Sequence, residues 1–313
     1  MVEASTRTIR CGAASLSISS LNKDEYATNI EMTGLAVWFA ATNMCNYVSA
    51  NLSQFDLGST LELGSGTGLV GLMLLSLREN RELERKAVHS SASSSSSSGS
   101  GSSEAEVEPL EPMGDQGNVI LTDGPEEVMT ILRGNIARNR RGSTGAGTGK
   151  GTGSGNGNGS CEQLWWGKSL QLRAFQGRPD GGRSHNILGS DLFYNSSQRG
   201  VVELCFETVE ALLSHHEAAR FHLSFTRRNL DIGVVLAVAL AAGFSAELAD
   251  DFCYDLWGNN TEGCTELWRD AIYSFSRIPR HAFGDAVPQL EPESVLVPVL
   301  VAVPDSAGDK GAE

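Results

Sequence analysis

The stretch Leu61-Glu62-Leu63-Gly64-Ser65-Gly66-Thr67-Gly68 decides how this chain folds. Thr60 to Leu63 is a short apolar run of strand length, broken by a glycine turn. The apolar pattern from Gly68 to about Leu77 then reads as a helix. A strand, a glycine turn and a helix in that order form the first half of a βαβ unit.

The same alternation continues on both sides. A helix is expected from about Gly34 to Leu52, with Leu35, Trp38, Phe39, Thr42 and Cys45 at helical spacing. After the turn come a strand, Val119-Ile120-Leu121-Thr122, ended by Asp123, and a helix from about Pro125 to Asn139, with Pro125 in its first turn. A short strand is expected around Leu164-Trp165 and another at Asn186-Ile187-Leu188. A helix from about Val201 to Ser214, a strand from His222 to Phe225 and a helix from Leu230 to Ala242, stopped by Gly243, follow. Final strands fit near Ser245–Leu248 and Ala271–Ser276, and Val295 to Val301 has the composition of an extra edge strand. Strands alternating with helices predict an α/β fold: an open, mostly parallel sheet with helices on both faces.

Two low-complexity runs interrupt the pattern, at about 88–117 (serine-rich, then acidic) and about 142–160 (Gly, Ser, Thr and Asn). Neither can bury enough apolar surface to offset the entropy of ordering, so both read as loops inserted in one domain. The expected organisation is an N-terminal extension over 1–32, a domain over 33–280 and a tail over 281–313.

The chain has 313 residues, 40% hydrophobic and 20% charged, with a formal net charge of −14. That acidity argues against a nucleic-acid partner, which needs a basic footprint. It is compatible with a basic protein partner and equally with simple solubility. The six cysteines, Cys11, Cys45, Cys161, Cys205, Cys253 and Cys264, lack metal-site spacing, so reduced thiols and no bound metal are expected. The most apolar stretch, Ile232 to Ala242, is too short for a membrane span. A cytoplasmic or nuclear protein with no membrane partner is the expectation.

Ligands of such sheets bind at the carboxyl ends of the strands, where the strand order reverses. Gly64-Ser65-Gly66-Thr67-Gly68 lies at such an end, before a helix whose first N–H groups attract anions. Two ligand classes fit. Gly66-x-Gly68-x-x-Gly71 matches the dinucleotide pattern, though late relative to its strand. A methyl-donor loop fits too: the amino-acid end of the cofactor lies against the glycines, Glu62 neutralises its ammonium, and Asp123 accepts from two ribose hydroxyls. Asp123 serves either ligand.

Further motifs agree with the second class. The chain resembles the seven-strand, class I protein-lysine methyltransferase family (methyltransferase-like enzymes distinct from the SET-domain type). The resemblance begins at Thr33-Gly34-Leu35-Ala36-Val37-Trp38-Phe39-Ala40-Ala41 and runs through the glycine turn to Ile120-Leu121-Thr122-Asp123-Gly124. It continues with Leu132-Arg133-Gly134-Asn135-Ile136-Ala137-Arg138-Asn139, Leu164-Trp165-Trp166-Gly167, Ile187-Leu188-Gly189-Ser190-Asp191-Leu192-Phe193-Tyr194 and Ala241-Ala242-Gly243-Phe244. It covers roughly Thr33 to Arg277.

The resemblance implies a Rossmann-like fold, S-adenosylmethionine as cofactor and a lysine-bearing protein as substrate of a monomeric enzyme. It places Trp38, Glu62, Gly64, Ser65, Gly66, Asp123, Trp166 and Ser190 around the cofactor, with Trp166 as a wall for the adenine and Trp38 over the sulfonium. Read without the motifs, either tryptophan serves equally well as core. Asp191 and Tyr194 become the acceptor-side pair, orienting an ammonium that must lose its proton before attack. The chain departs from the family before the fourth strand of that fold, where Ser184-His185-Asn186 replaces the usual acidic residue. It lacks the Asn/Asp-Pro-Pro-Tyr signature of nucleobase amino-group methylation, which disfavours adenine or glutamine as acceptor. A methyltransferase for histidine or a small molecule, and a silent cofactor-binding fold, are the alternative readings.

Overall fold

A computed structural model describes residues 4–11, 13–21, 30–55, 58–94, 117–140, 159–178, 181–193, 199–226, 230–253 and 269–279. In chain order the elements are strands β1 (Ser5–Cys11) and β2 (Ala14–Ser20), helix α1 (Phe39–Ala50), β3 (Thr60–Leu63), α2 (Leu69–Ser94), β4 (Val119–Asp123), α3 (Glu126–Asn139), β5 (Gly159–Gln163), α4 (Ser169–Gln176), β6 (Asn186–Ser190), α5 (Arg199–Leu212), β7 (Arg220–Thr226), α6 (Ile232–Ala241), β8 (Phe244–Cys253) and β9 (Arg269–Arg277).

Seven strands form one sheet in the order β5-β4-β3-β6-β7-β9-β8. All pairings from β5 to β7 are parallel, and β9 is antiparallel to both its neighbours. This is the Rossmann-like class I arrangement. From β3 the chain winds out through β4 to β5, then returns past β3 to build β6 and β7. The order therefore reverses between β3 and β6, and a crevice opens at their carboxyl ends.

Alternation along each strand feeds two cores. Leu61, Leu63, Ile120, Ile187, Phe221, Leu223 and Phe225 face α4, α5 and α6, where Phe206 meets Phe221, Phe244 and Phe275 at centroid separations of 5.2–5.9 Å. Val119, Leu121 and Leu188 face α1, α2 and α3. The central strands are buried on both faces, which is why they read as near-continuous apolar runs. Glu62 belongs to the α1–α3 side, opposite Leu61 and Leu63.

The N-terminal stretch carries a β1–β2 hairpin, paired from Ser5↔Ser20 to Cys11↔Ala14, and its Leu16 and Ile18 join the α1–α3 core. The outer edge of β2 is capped by α3. Asn139 exchanges hydrogen bonds with the backbone of Ser17 (2.8 and 2.9 Å), and Asn135 does the same with Ser19 (2.8 and 3.0 Å). Two asparagines one helical turn apart thus match alternate residues of a strand and satisfy an edge that would otherwise be exposed.

Several boundaries differ from expectation. The first helix starts at Phe39, not near Gly34. Residues Ile30–Leu35 form a 3₁₀ turn, and Trp38 is extended (φ −96°, ψ 154°) because its indole N–H donates to Thr33 O at 2.9 Å. Helix α2 runs to Ser94 rather than stopping near Leu77, as its second half is rich in helix formers and carries a Glu82–Lys86 ion pair at 3.1 Å. Pro125 is the N-cap of α3, one position before the expected first turn. The strand expected around Leu164-Trp165 is Gly159–Gln163, because Val119 pairs with Gly159 and Asp123 with Gln163, so the strand ends before Leu164. The last two strands are longer than expected, since β8 and β9 pair from Phe244↔Arg277 to Cys253↔Arg269. Most of both low-complexity runs, Tyr194 and the Val295–Val301 segment lie outside the described residues. Among the described residues no helix is long and apolar enough to cross a membrane.

Candidate functional site

A cleft of about 420 Å³ opens at the carboxyl ends of β3 and β6. That lies within the usual size range of small-ligand pockets. Trp38, Glu62, Gly64, Ser65, Gly66, Asp123, Trp166, Ser190 and Asp191 all line it, so the structure brings together every expected site residue that it describes.

The floor is the glycine turn. Gly64 and Gly66 have φ of +58° and +53°, a region that suits glycine. A side chain at Gly66 would also meet Gly34 O at 2.7 Å, so the wall formed by residues 33–38 presses directly on the turn. Asp123 holds the turn from the next strand. One carboxylate oxygen accepts the Gly66 N–H and the other the Gly124 N–H, both at 2.8 Å. Burial raises the Asp123 pKa, opposed by these two N–H donors.

Ser65 is committed to the loop itself. Its N–H donates to Thr122 O at 2.8 Å, its hydroxyl donates to Glu62 O at 3.3 Å, and that hydroxyl accepts the Thr122 N–H at 2.9 Å. Its side chain therefore stitches β3 to β4. Thr67 O is held at 2.9 Å by Asn135, which also caps β2.

Glu62 lies beneath the turn and is 2% exposed. Its carboxylate accepts the Gly71 N–H at 3.1 Å, capping the first turn of α2. A Cβ at residue 71 would lie 2.7 Å from that carboxylate oxygen, so the glycine at 71 is what admits Glu62. Burial pushes the Glu62 pKa up to about 8; hydrogen bonds from Gly71 and Ser65 oppose the shift, and Asp123 adds to it.

Asp191 ends β6 with φ +52°, the one non-glycine among the described residues in the left-handed region. Its N–H donates to Ser224 O at 2.9 Å, which fixes this conformation from β7. Aspartate tolerates that region better than most residues, yet holding it there costs about 1–3 kcal/mol and marks a candidate functional position.

Two aromatic walls complete the cleft. Trp166 stands near Gly64 and packs edge-on against Phe193, with centroids 6.3 Å apart. Trp165 lies over Gly124, where an added Cβ would come within 2.8–3.0 Å of its indole. Of the two, only Trp166 was expected at the site. Once β5 ends at Gln163, the chain crosses the cleft mouth and both tryptophans line it. Phe193, Leu204 and Leu230 were also missed: Leu204 and Leu230 have no motif around them, and Phe193 stands between Asp191 and Tyr194, which alone carried a role. Glu62, Asp123 and Asp191 are the charged residues among the described lining, and no Lys, Arg or His is with them. No group of His, Cys, Asp or Glu suited to a metal ion occurs among the described residues.

A family model described as lysine methyltransferase matches residues 19–87, from β2 through the glycine turn into α2. No curated protein matches the chain. Similar solved structures include precorrin-6y C5,15-methyltransferase from Geobacter metallireducens (11% identity, 82% of this chain and 96% of that chain, TM-score 0.40). A TehB-like SAM-dependent methyltransferase from Corynebacterium glutamicum is similar at 12% identity, 81% and 97% coverage and TM-score 0.40. SMU.776, described as a methyltransferase complexed with SAH, gives 10% identity, 86% and 56% coverage and TM-score 0.46.

Proposed function

We propose that the chain is an S-adenosylmethionine-dependent methyltransferase whose acceptor is a lysine side chain of a protein. The observation that carries the cofactor reading is the charge of the cleft. Its described charged residues are all carboxylates. Glu62 already occupies the Gly71 N–H in the first turn of α2, so that donor is closed to a pyrophosphate. A ligand with an ammonium and a sulfonium meets attraction instead. Asp123 uses two of a carboxylate's roughly four acceptor sites on the turn, which leaves capacity for two ribose hydroxyls. The family model over 19–87 supports the same cofactor.

When bound, S-adenosylmethionine supplies an electrophilic methyl group on a sulfonium sulfur. The chain's own part is orientation and exclusion of water. Glu62 holds the ammonium end, Asp123 the ribose, and Trp38 shields the opposite wall. Asp191, at the carboxyl end of β6, orients the acceptor ammonium; desolvation in the cleft lowers the lysine pKa against the opposing pull of that carboxylate, so that the proton passes to solvent and the neutral amine is left for in-line attack. The lysine assignment rests on the Asp191 position, the carboxylate-lined cleft and the family description.

Thermal melting with S-adenosylhomocysteine and with NAD tests the cofactor. A rise in Tm with the first alone is expected; a rise with NAD alone would reverse the reading. Radiolabelled methyl transfer into a cell extract, with residue mapping of the labelled band, tests the acceptor. Label on lysine is expected, and label confined to histidine or to small molecules would overturn it.

A further inference from the structure

Among the described residues two exposed large apolar side chains line the cleft, and two more stand within a few residues of its lining. Trp165 is 46% exposed and Leu204 41%, and both line the cleft itself. Leu204 packs onto Gly167, just past the two tryptophans, and Leu170, 80% exposed, opens α4 three residues later. Across the cleft Phe39, 52% exposed, sits between Trp38 and Ala41, both of which line it. Exposed large apolar residues gathered at the mouth of one cleft suit an interaction site.

We propose that this apolar rim seats large apolar residues flanking the acceptor lysine of a protein substrate. The proposal rests on the lysine reading above. The carboxylate-lined cleft draws in an ammonium, and the four-carbon stem of lysine then holds its own backbone close above the mouth. An extended chain advances by roughly 3.3 Å per residue, so positions within two or three of the lysine lie on the rim. There they meet Phe39 on one side and Trp165, Leu204 and Leu170 on the other. The occupant is therefore a polypeptide segment with a Leu, Ile, Phe or similar side chain next to the methylated lysine. The overall acidity of the chain guides the lysine, and the rim supplies the choice among lysines.

The test is an array of peptides with one central lysine and varied neighbours, incubated with the full chain and radiolabelled S-adenosylmethionine. Peptides with a large apolar residue within three positions should be labelled best. In Leu170→Ser and Phe39→Ser, which lie outside the cleft lining, KM for those peptides should rise roughly tenfold. Their affinity for S-adenosylhomocysteine and their kcat should not change. Equal labelling whatever the neighbours, or a preference that survives in both variants, would overturn the rim. Loss of lipid-vesicle binding in the variants, with peptide KM unchanged, would assign the rim to a membrane surface and also overturn it. If the wild-type protein binds S-adenosylhomocysteine yet labels no lysine peptide, the acceptor reading fails first and the rim proposal falls with it.

Discussion

Asn135 donates its side-chain N–H to Thr67 O at 2.9 Å, and this one bond joins the N-terminal hairpin to the glycine turn. The same side chain holds both the N–H and the carbonyl of Ser19, and it is fully buried. Replacing it with alanine would leave three backbone groups without this partner. Each buried orphan costs about 1–3 kcal/mol. Asn135→Ala should therefore lower unfolding stability by about 3 kcal/mol and weaken cofactor affinity through the displaced turn. Asn139→Ala, which frees the partly buried Ser17 groups and one bond to Asn135 O, should cost about 1 kcal/mol and leave affinity unchanged. Urea titration and calorimetry on the two variants check the contrast; equal affinity losses would show that the turn does not depend on Asn135.

Asp123 serves the turn, and on the proposed reading it serves a ribose as well. Asp123→Ala removes an acceptor from two backbone N–H groups and from the ligand, so its loss of affinity should exceed the roughly 1.5–3 kcal/mol of a charged hydrogen bond alone. Asp123→Asn retains one acceptor and should fall between wild type and alanine. Calorimetric titration with S-adenosylhomocysteine measures both. Wild-type affinity in the alanine variant would remove Asp123 from the site.

How much of this was legible in the sequence follows from what fixed each part. The sheet and its reversal point were legible, because Thr60–Leu63, Val119–Asp123 and Asn186–Ser190 are short apolar runs ended by turn residues, and burial on both faces leaves them no other reading. The cleft floor was legible for the same local reason: glycines at 64 and 66 answer a backbone requirement. The extended Trp38 was not, since it depends on a bond back to Thr33 that overrides the helical periodicity of residues 35–45. Nor was the structural commitment of Ser65, which becomes visible only when β4 is laid beside β3. The hairpin did carry a local signal, the alternation of Ala14, Leu16 and Ile18 with serines, but residues 1–32 read as an extension, and what β2 packs on appears only when Asn135 and Asn139 meet its edge. Trp165 was overshadowed by its neighbour.

Glu62 gives a pH signature. Its folded pKa is about 8, above the value near 4.3 of an unfolded glutamate. Between those values the folded state keeps a proton that the unfolded state has lost, so this group makes stability fall as pH rises from about 4.5 to 8. Glu62→Gln should flatten that part of the stability profile. A cationic ligand favours the ionised form, so affinity for S-adenosylmethionine should rise from pH 6 to pH 8 in the wild type and much less in the variant. Melting curves and titrations across that range provide the measurement. A pH-independent wild-type affinity would mean that Glu62 does not meet the ammonium.

Asp191 combines backbone strain with a place in the cleft lining, where the proposed function assigns it the acceptor, and the two can be separated by substitution. Glycine tolerates φ +52° freely, whereas alanine does not. Asp191→Gly should therefore be more stable than Asp191→Ala by about 1 kcal/mol, an amount typical of the left-handed penalty. Both variants lose the carboxylate, so both should lose turnover on a lysine acceptor by a factor of about 10² or more, the usual share of a positioned polar group. Cofactor affinity should stay close to wild type in each, because the cofactor-end contacts of Glu62 and Asp123 are untouched. Turnover, melting temperature and S-adenosylhomocysteine affinity measured on the same two proteins decide the matter. If Asp191→Gly keeps full turnover, the residue is a strained turn and nothing more; if it gains stability while losing turnover, the strain at the end of β6 is maintained for the carboxylate it presents.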